Sequence, residues 1–219
     1  MNQYKAAIYK AITNTQVARK PDQPDAIELQ ARKLLDTPVS IQPPLPFSDP
    51  VESFRHRINS EKIAGSIESI ESIEKLPAAI RRYLSDHQLS TTIALQATET
   101  LLNLDWNGFT LKHQADSDEQ LAITLGHWGI AETGSVVISS AADSPVLLNF
   151  LPSHHILVLF EKNILVNLED YVMKISSLNE SRMVCLVTGA SGTTDIEGVL
   201  VNGAHGPEHL HIITVKQCS

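Results

Sequence analysis

An α/β fold, with a largely parallel sheet between covering layers on both faces, is predicted by three features of the chain. Its β-rich runs are close to continuous rather than alternating. GSVVISS (134–140), HILVLF (155–160) and MVCLVTG (183–189) place apolar residues at successive positions, as strands buried on both faces do. Stretches of helical composition separate these runs, the order expected of a three-layer α/β domain with helices on both faces of the sheet. Of the 219 residues, 42% are apolar and 19% charged, which suits one sizeable core and not a disordered chain.

The elements follow in order. Residues 3–19 carry Ala6, Ala7, Ile8, Ala11 and Ile12 at helical spacing, and 25–35 would set Ile27, Ala31, Leu34 and Leu35 on one helix face. Pro38, Pro43, Pro44, Pro46 and Pro50 then impose an extended path, since proline fixes φ and lacks the amide hydrogen. This divides the chain into an N-terminal helical extension with a Pro-rich linker (1–50) and an α/β domain (51–219). Within the domain, 66–89 is helical in composition. Its thrice-repeated SIE triplet (66–74) reads as helix surface, and Pro77 limits its continuity. TTIALQ (91–96) and FTLKH (109–113) are strand candidates flanking a short helix near 97–104, and 164–179 is a further helix. HIITVKQ (211–217) closes the chain as a last strand.

Charge and cysteine content narrow the function. Residues 91–219 hold five cations (Lys112, Lys162, Lys174, Arg182, Lys216) against 14 carboxylates, whereas 1–90 is close to neutral. Binding nucleic acid requires Lys and Arg to neutralise phosphates, and an anionic membrane surface asks for the same. Neither partner is expected. No window nears the roughly 18 apolar residues of a membrane span, and the start MNQYKAAIYKAITN has no apolar signal core, so a cytoplasmic location is expected. Cys185 and Cys218 are too few for a disulfide framework or a four-thiolate iron–sulfur cluster. No cofactor is expected, and Cys185 is read as a small buried hydrophobe.

Three loops could carry chemistry. In TGASGTTDIEG (188–198), Gly189, Ser191, Gly192 and Thr193 follow an apolar run, and Thr194 stands three before Glu197, the spacing of a capping box. A strand, a small-residue turn and a helix start would offer backbone amides to a ligand at the carboxyl end of a strand, although Asp195 and Glu197 would repel a highly charged anion. The plain alternative is a well-capped helix. In WGIAETGSVVISS (128–140), Glu132 in apolar surroundings is either an acid/base candidate or a turn residue bonded to backbone, with Thr133 and Gly134 beside it. In VNGAHGPEHLHIITV (201–215), His205, His209 and His211 match no standard metal spacing, because Gly206 and Pro207 break any helix that would align His205 with His209. No metal is expected. His205, in a turn defined by Gly203, Gly206 and Pro207, is a better candidate for a polar contact near the 188–198 loop. No nucleophile–base signature is legible.

GIAETGSVVI (129–138), LPSHHILVLF (151–160) and TGASGTTDIEGVLVNGAHGPEHLHIITV (188–215) together resemble the C-terminal signature of the LUD family, in particular its lactate-utilization protein C type. The ungapped T-x-D-I-E string followed by G-x-H-G-P-x-x-L-H carries the resemblance. It implies a fold similar to the sugar-phosphate isomerase, CoA-transferase and formyltetrahydrofolate cyclo-ligase group, and a role in oxidising L-lactate to pyruvate beside two iron–sulfur partner proteins. Family members commonly carry a basic residue where this chain has Gly192, and another where it has Glu208, which shifts any ligand here towards lower charge. The expected function is an accessory or assembly subunit of an L-lactate-oxidising iron–sulfur complex, without a redox centre of its own. The alternative is a stand-alone enzyme or sensor acting on a small organic acid or its activated ester, with Glu132, the 188–194 loop and His205 as its site.

Overall fold

Hydrogen bonding between distant strands, more than local propensity, sets the architecture of this protein. The computed structural model describes residues 10, 24–36, 42–61, 63–116, 118–175, 181–194 and 200–216. The chain divides into two units, Met1–Pro43 and Pro44–Ser219. In the first, helix α1 (Pro24–Asp36) opens on proline, whose fixed φ suits a first turn, and carries an exposed Arg32–Glu28 pair at 2.7 Å. The helix expected over 3–19 lies, apart from Lys10, outside the described residues, as does Cys218. Residues 44–49 belong to the larger unit: Leu45 packs on its core, and Ser53 Oγ donates to the Phe47 carbonyl at 2.9 Å.

In the larger unit, helix α2 (Pro50–Ile58) starts where Asp49 Oδ1 accepts the Val51 amide at 2.9 Å, and carries Arg55, His56 and Arg57 in its last turn. Both ends thus complement the helix dipole. Six strands form one wholly parallel sheet in the order β1-β12-β7-β4-β2-β3. They are β1 (Gly65–Ile70), β2 (Thr92–Leu95), β3 (Thr110–Lys112), β4 (Leu121–Leu125), β7 (His154–Phe160) and β12 (His209–Val215). One face is covered by helices α3 (Leu76–Asp86) and α4 (Glu99–Leu102), whose Leu76, Ile80, Leu84 and Leu101 meet Ile93, Ile123, Ile156 and Ile213. The other face carries α2 together with a second, mixed sheet, ordered β8-β5-β6-β9. Its strands are β5 (Trp128–Ile130), β6 (Ser135–Ser139), β8 (Ile164–Leu165) and β9 (Val184–Val187), with helix α5 (Leu168–Ile175) against them. A two-stranded hairpin, β10 (Gly192–Thr194) with β11 (Leu200–Asn202), and 3₁₀ turns at Ile73–Lys75, Val146–Asn149 and Glu161–Asn163 complete the described elements.

The α/β class and the parallel sheet hold. The strands expected in 91–96, 109–113, 134–140, 155–160 and 211–217 are present, with the short helix after β2. Three expectations are corrected. The SIESI stretch is strand β1, not helix surface: Ile67 and Ile70 point to opposite faces and join separate cores, and parallel pairing to β12 along the whole strand overrides helical composition. Helix begins only at Leu76, so Pro77 lies in its first turn instead of interrupting it. The MVCLVTG run is a strand, β9, but not one buried on both faces: among the described residues it pairs with β6 alone, at the edge of the mixed sheet, and Leu186 is 43% exposed. Central strand β4 had no counterpart among the expected strands, and 164–179 opens as strand β8 before helix α5.

Candidate functional site

Two loops meet on Ser191. Its amide donates to the Pro207 carbonyl at 2.8 Å, and its carbonyl accepts the Gly203 amide at 2.8 Å. Gly206 lies flush on it, since a Cβ there would stand 3.3 Å from Ser191 Cβ. The segment after β9 and the turn before β12 are therefore locked together, and exposed His205 stands between two cavities. The larger, about 520 Å³, is bounded by Asp118, Glu119, Ser153 and Glu208 among others. The smaller, about 390 Å³, is lined by Asn149, Cys185, Leu186, Thr188 and Ser191. Phe150, His205 and Gly206 belong to both.

This cleft is at the amino edge of the parallel sheet. Its loops, around 118–119, 150–153 and 203–208, run directly into β4, β7 and β12. The expectation of a loop at the carboxyl end of a parallel strand is corrected, because β9 belongs to the mixed sheet. Gly192, Thr193 and Thr194 form strand β10, paired antiparallel with Asn202, Val201 and Leu200; the helix start expected after Thr194, with Asp195 and Glu197, lies outside the described residues.

The second predicted loop takes a different place. Glu132 Oε2 accepts the Leu168 amide at 3.3 Å, at the first residue of α5, the work of a capping carboxylate. It lines neither cavity. Thr133 Oγ1 and Ser135 Oγ lie 2.7 Å apart, and Ser135 Oγ bonds in turn to Thr188 Oγ1, joining this loop to the one after β9. Gly134 (φ 71°) packs on Arg57 and Ile63. Gly189 is the tighter case. At φ 95°, a Cβ would fall on the Ile63 carbonyl oxygen, well inside van der Waals contact. Gly189→Ala is expected to cost at least about 2 kcal/mol, the left-handed penalty plus backbone displacement. Urea unfolding would measure it, together with faster exchange of the Ala190 amide now bonded to Ile63 O at 3.3 Å; an unchanged midpoint would contradict this packing.

The histidines form a structural cluster as well. His154 stacks on His209 with ring centroids 4.3 Å apart, and Tyr83 Oη lies 2.9 Å from His154 Nδ1. Burial, with His209 and His87 adding repulsion, pushes His154 down to about 4. Burial alone pushes His155 down to about 3. His211 is lowered by burial against the opposing pull of Glu68. Among the described residues, no three His, Cys, Asp or Glu side chains are arranged to hold a metal ion. Cys185 is half-buried at the smaller cavity, and burial raises its thiol, so it is protonated at neutral pH and a poor nucleophile.

Sequence reasoning missed Asn149 and Thr124, which bring a buried polar chain under the smaller cavity. An asparagine closing a 3₁₀ turn and a threonine inside a strand carry no local signal. Taken together, the smaller cavity offers an amide, hydroxyls, an imidazole and a thiol, while carboxylates border the larger one. Among the described lining residues of the two there is no Lys or Arg. The arrangement suits a small polar ligand held by hydrogen bonds rather than by ion pairing.

Comparison with known proteins finds similarity along most of the chain. Residues 110–215 match the LUD domain family model. "Lactate utilization protein C" of Deinococcus radiodurans is 29% identical over 184 residues, which is 81% of this chain and 85% of that protein. A protein of the same description in Geobacillus thermodenitrificans is 29% identical over 117 residues, about half of each chain (50% and 49%). A DUF162 family protein of Deinococcus radiodurans has a similar crystal structure, with a TM-score of 0.57 at 21% identity over 78% of this chain and 99% of that one. The structural likeness supports the fold.

Proposed function

We propose, from the match of residues 110–215 to the LUD domain family model, that the chain serves L-lactate utilization as an accessory or assembly subunit of a cytoplasmic L-lactate-oxidising iron–sulfur complex. The observation that carries this reading is the extent of the similarity to lactate utilization protein C of Deinococcus radiodurans, which spans 81% of one chain and 85% of the other. The chain's two cysteines cannot ligate a four-thiolate cluster, so the electron-carrying centres belong to iron–sulfur partners of the same pathway. The cleft around Ser191 and His205 is this subunit's site for a small organic acid or a neutral derivative of one. Among the described residues no helix is long and apolar enough to cross a membrane. A stand-alone enzyme with Glu132 as its acid or base draws no support from the geometry, because that carboxylate meets the first amide of α5.

The test is growth and co-purification in the native cells. Deleting the gene is expected to slow growth on L-lactate while leaving growth on pyruvate intact. A tagged copy isolated after growth on lactate is expected to bring down Cys-rich iron–sulfur proteins with lactate-dependent dye reduction. Equal growth of the deletion strain on both carbon sources would overturn the pathway assignment. Recovery of the chain alone from lactate-grown cells would overturn the subunit role.

A further inference from the structure

The smaller cavity rests on a run of buried polar groups that packing alone does not call for. Asn149 is 6% exposed and forms part of the cavity wall. Its Nδ2 donates to the Val146 carbonyl at 3.2 Å, and its Oδ1 accepts from Thr124 Oγ1 at 3.4 Å. Thr124 Oγ1 is in turn 2.8 Å from His155 Nε2. His155 is fully buried, and its Nδ1 has no hydrogen-bond partner.

Counting hydrogens gives this chain a direction. A fully buried imidazole is held neutral and has a single N–H. With that hydrogen on Nδ1, a buried donor would be stranded, and Thr124 would have to spend its one hydroxyl hydrogen on Nε2, leaving Asn149 Oδ1 without a donor. With the hydrogen on Nε2, His155 donates to Thr124, Thr124 donates to Asn149 Oδ1, and only a lone pair on Nδ1 goes unmet. The second arrangement satisfies more buried groups. It holds the carboxamide with its oxygen inward, and one Nδ2 hydrogen remains after Val146 is served.

We propose that Asn149 is the ligand-reading donor of this cleft, oriented by Thr124 and His155, and that it takes a neutral carbonyl oxygen, such as that of an amide or ester of a small acid. The neutral class follows from the surroundings. No cation lines either cavity among the described residues, and with Glu119 paired to Lys112 at 3.2 Å the carboxylates of Asp118 and Glu208 still border the larger one, so a free carboxylate would sit unpaired near like charges. This rests on the reading of the cleft as a ligand site. Thr124 and His155 are positioning residues, since neither lines the cavity.

The experiment is NMR of the full chain with L-lactamide and L-lactate as probes. The Asn149 side-chain amide is assigned by its loss in Asn149→Asp. Lactamide is expected to shift it saturably, with L-lactate weaker by at least about tenfold for want of a countercharge. Long-range nitrogen–proton correlation is expected to show His155 as the Nε2–H tautomer. Thr124→Val is expected to weaken lactamide by roughly three- to tenfold, the effect of one lost hydrogen bond, and Thr124→Ser to restore it. An Asn149 amide unmoved at saturating lactamide, equal binding of lactate, or an Nδ1–H His155 would each overturn the proposal; the last two readouts use the native chain and stand even where Thr124→Val does not fold. Should the inference fail while the deletion strain still loses growth on lactate, the pathway role survives it.

Discussion

Between pH 6.5 and pH 5 the protein is expected to lose roughly 3 kcal/mol of folding stability through His154 and His155 alone. Both rings are held neutral by burial in the fold, at about 4 and about 3, whereas unfolded histidine titrates near 6.5. As the pH falls below that value, the unfolded chain takes up protons that the folded chain refuses. Their stabilisation is therefore complete above pH 6.5 and drains away towards the folded values. For each histidine the slope rises from about half of 1.4 kcal/mol per pH unit at pH 6.5 towards the full value near pH 5, so the pair's loss is a large share of a typical total of roughly 5–15 kcal/mol. The neighbours explain the refusal. His154 faces Tyr83, His87 and His209, so a proton on it would meet other imidazoles and a phenol but no carboxylate. His155 meets only the Thr124 hydroxyl. Urea unfolding at pH 7.5, 6.0 and 5.0 measures the slope, and the His154 and His155 ring protons should keep their neutral shifts down to pH 5. A flat profile would show that these rings are not buried as described.

Truncating Phe54 to alanine should be the most damaging single change in the cover of the second face. Phe54 is fully buried on α2. Its ring lies where Gly129 of β5 presents no side chain: a Cβ there would stand 3.3 Å from Phe54 Cε2 and 2.7 Å from Leu159 Cδ2. The ring belongs to the same apolar cluster as Leu157, Leu159 and Ile212, three residues of the parallel sheet that only this cover keeps dry. Deletion of a large buried ring costs about 3–5 kcal/mol, the transfer term plus the cavity left behind. The urea midpoint of Phe54→Ala should fall accordingly. A loss under about 1 kcal/mol would mean that α2 does not seal this face.

These two effects also show where sequence reading succeeds. HILVLF and HIITV are runs rich in Ile, Val and Leu within two adjacent strands of the parallel sheet, β7 and β12. Local composition was enough there because burial on both faces keeps most positions apolar, even with His154, His155 and His211 buried among them. It was misleading for SIESI, where glutamate and serine on an edge strand give a helix-like average. The cleft was half legible. Gly189, Ser191, His205 and Gly206 do come together, while Glu132 sits at the α5 terminus and Asn149 gave no sign of itself.

The α/β class, the main buried strands and the acidic balance of residues 91–219 were determined by sequence alone, because each depends on residues within a few positions or on summed charge. Tertiary structure decided which strands share a sheet, that the cleft opens at the amino edge, and which polar groups pair inside. Thr124 meets Asn149 across 25 residues and His155 across 31. The pairing of β4 with β7 brings Thr124 to His155, and the turn that leads into β7 brings Asn149 to Thr124, an arrangement of the whole sheet that is written in no single stretch of it.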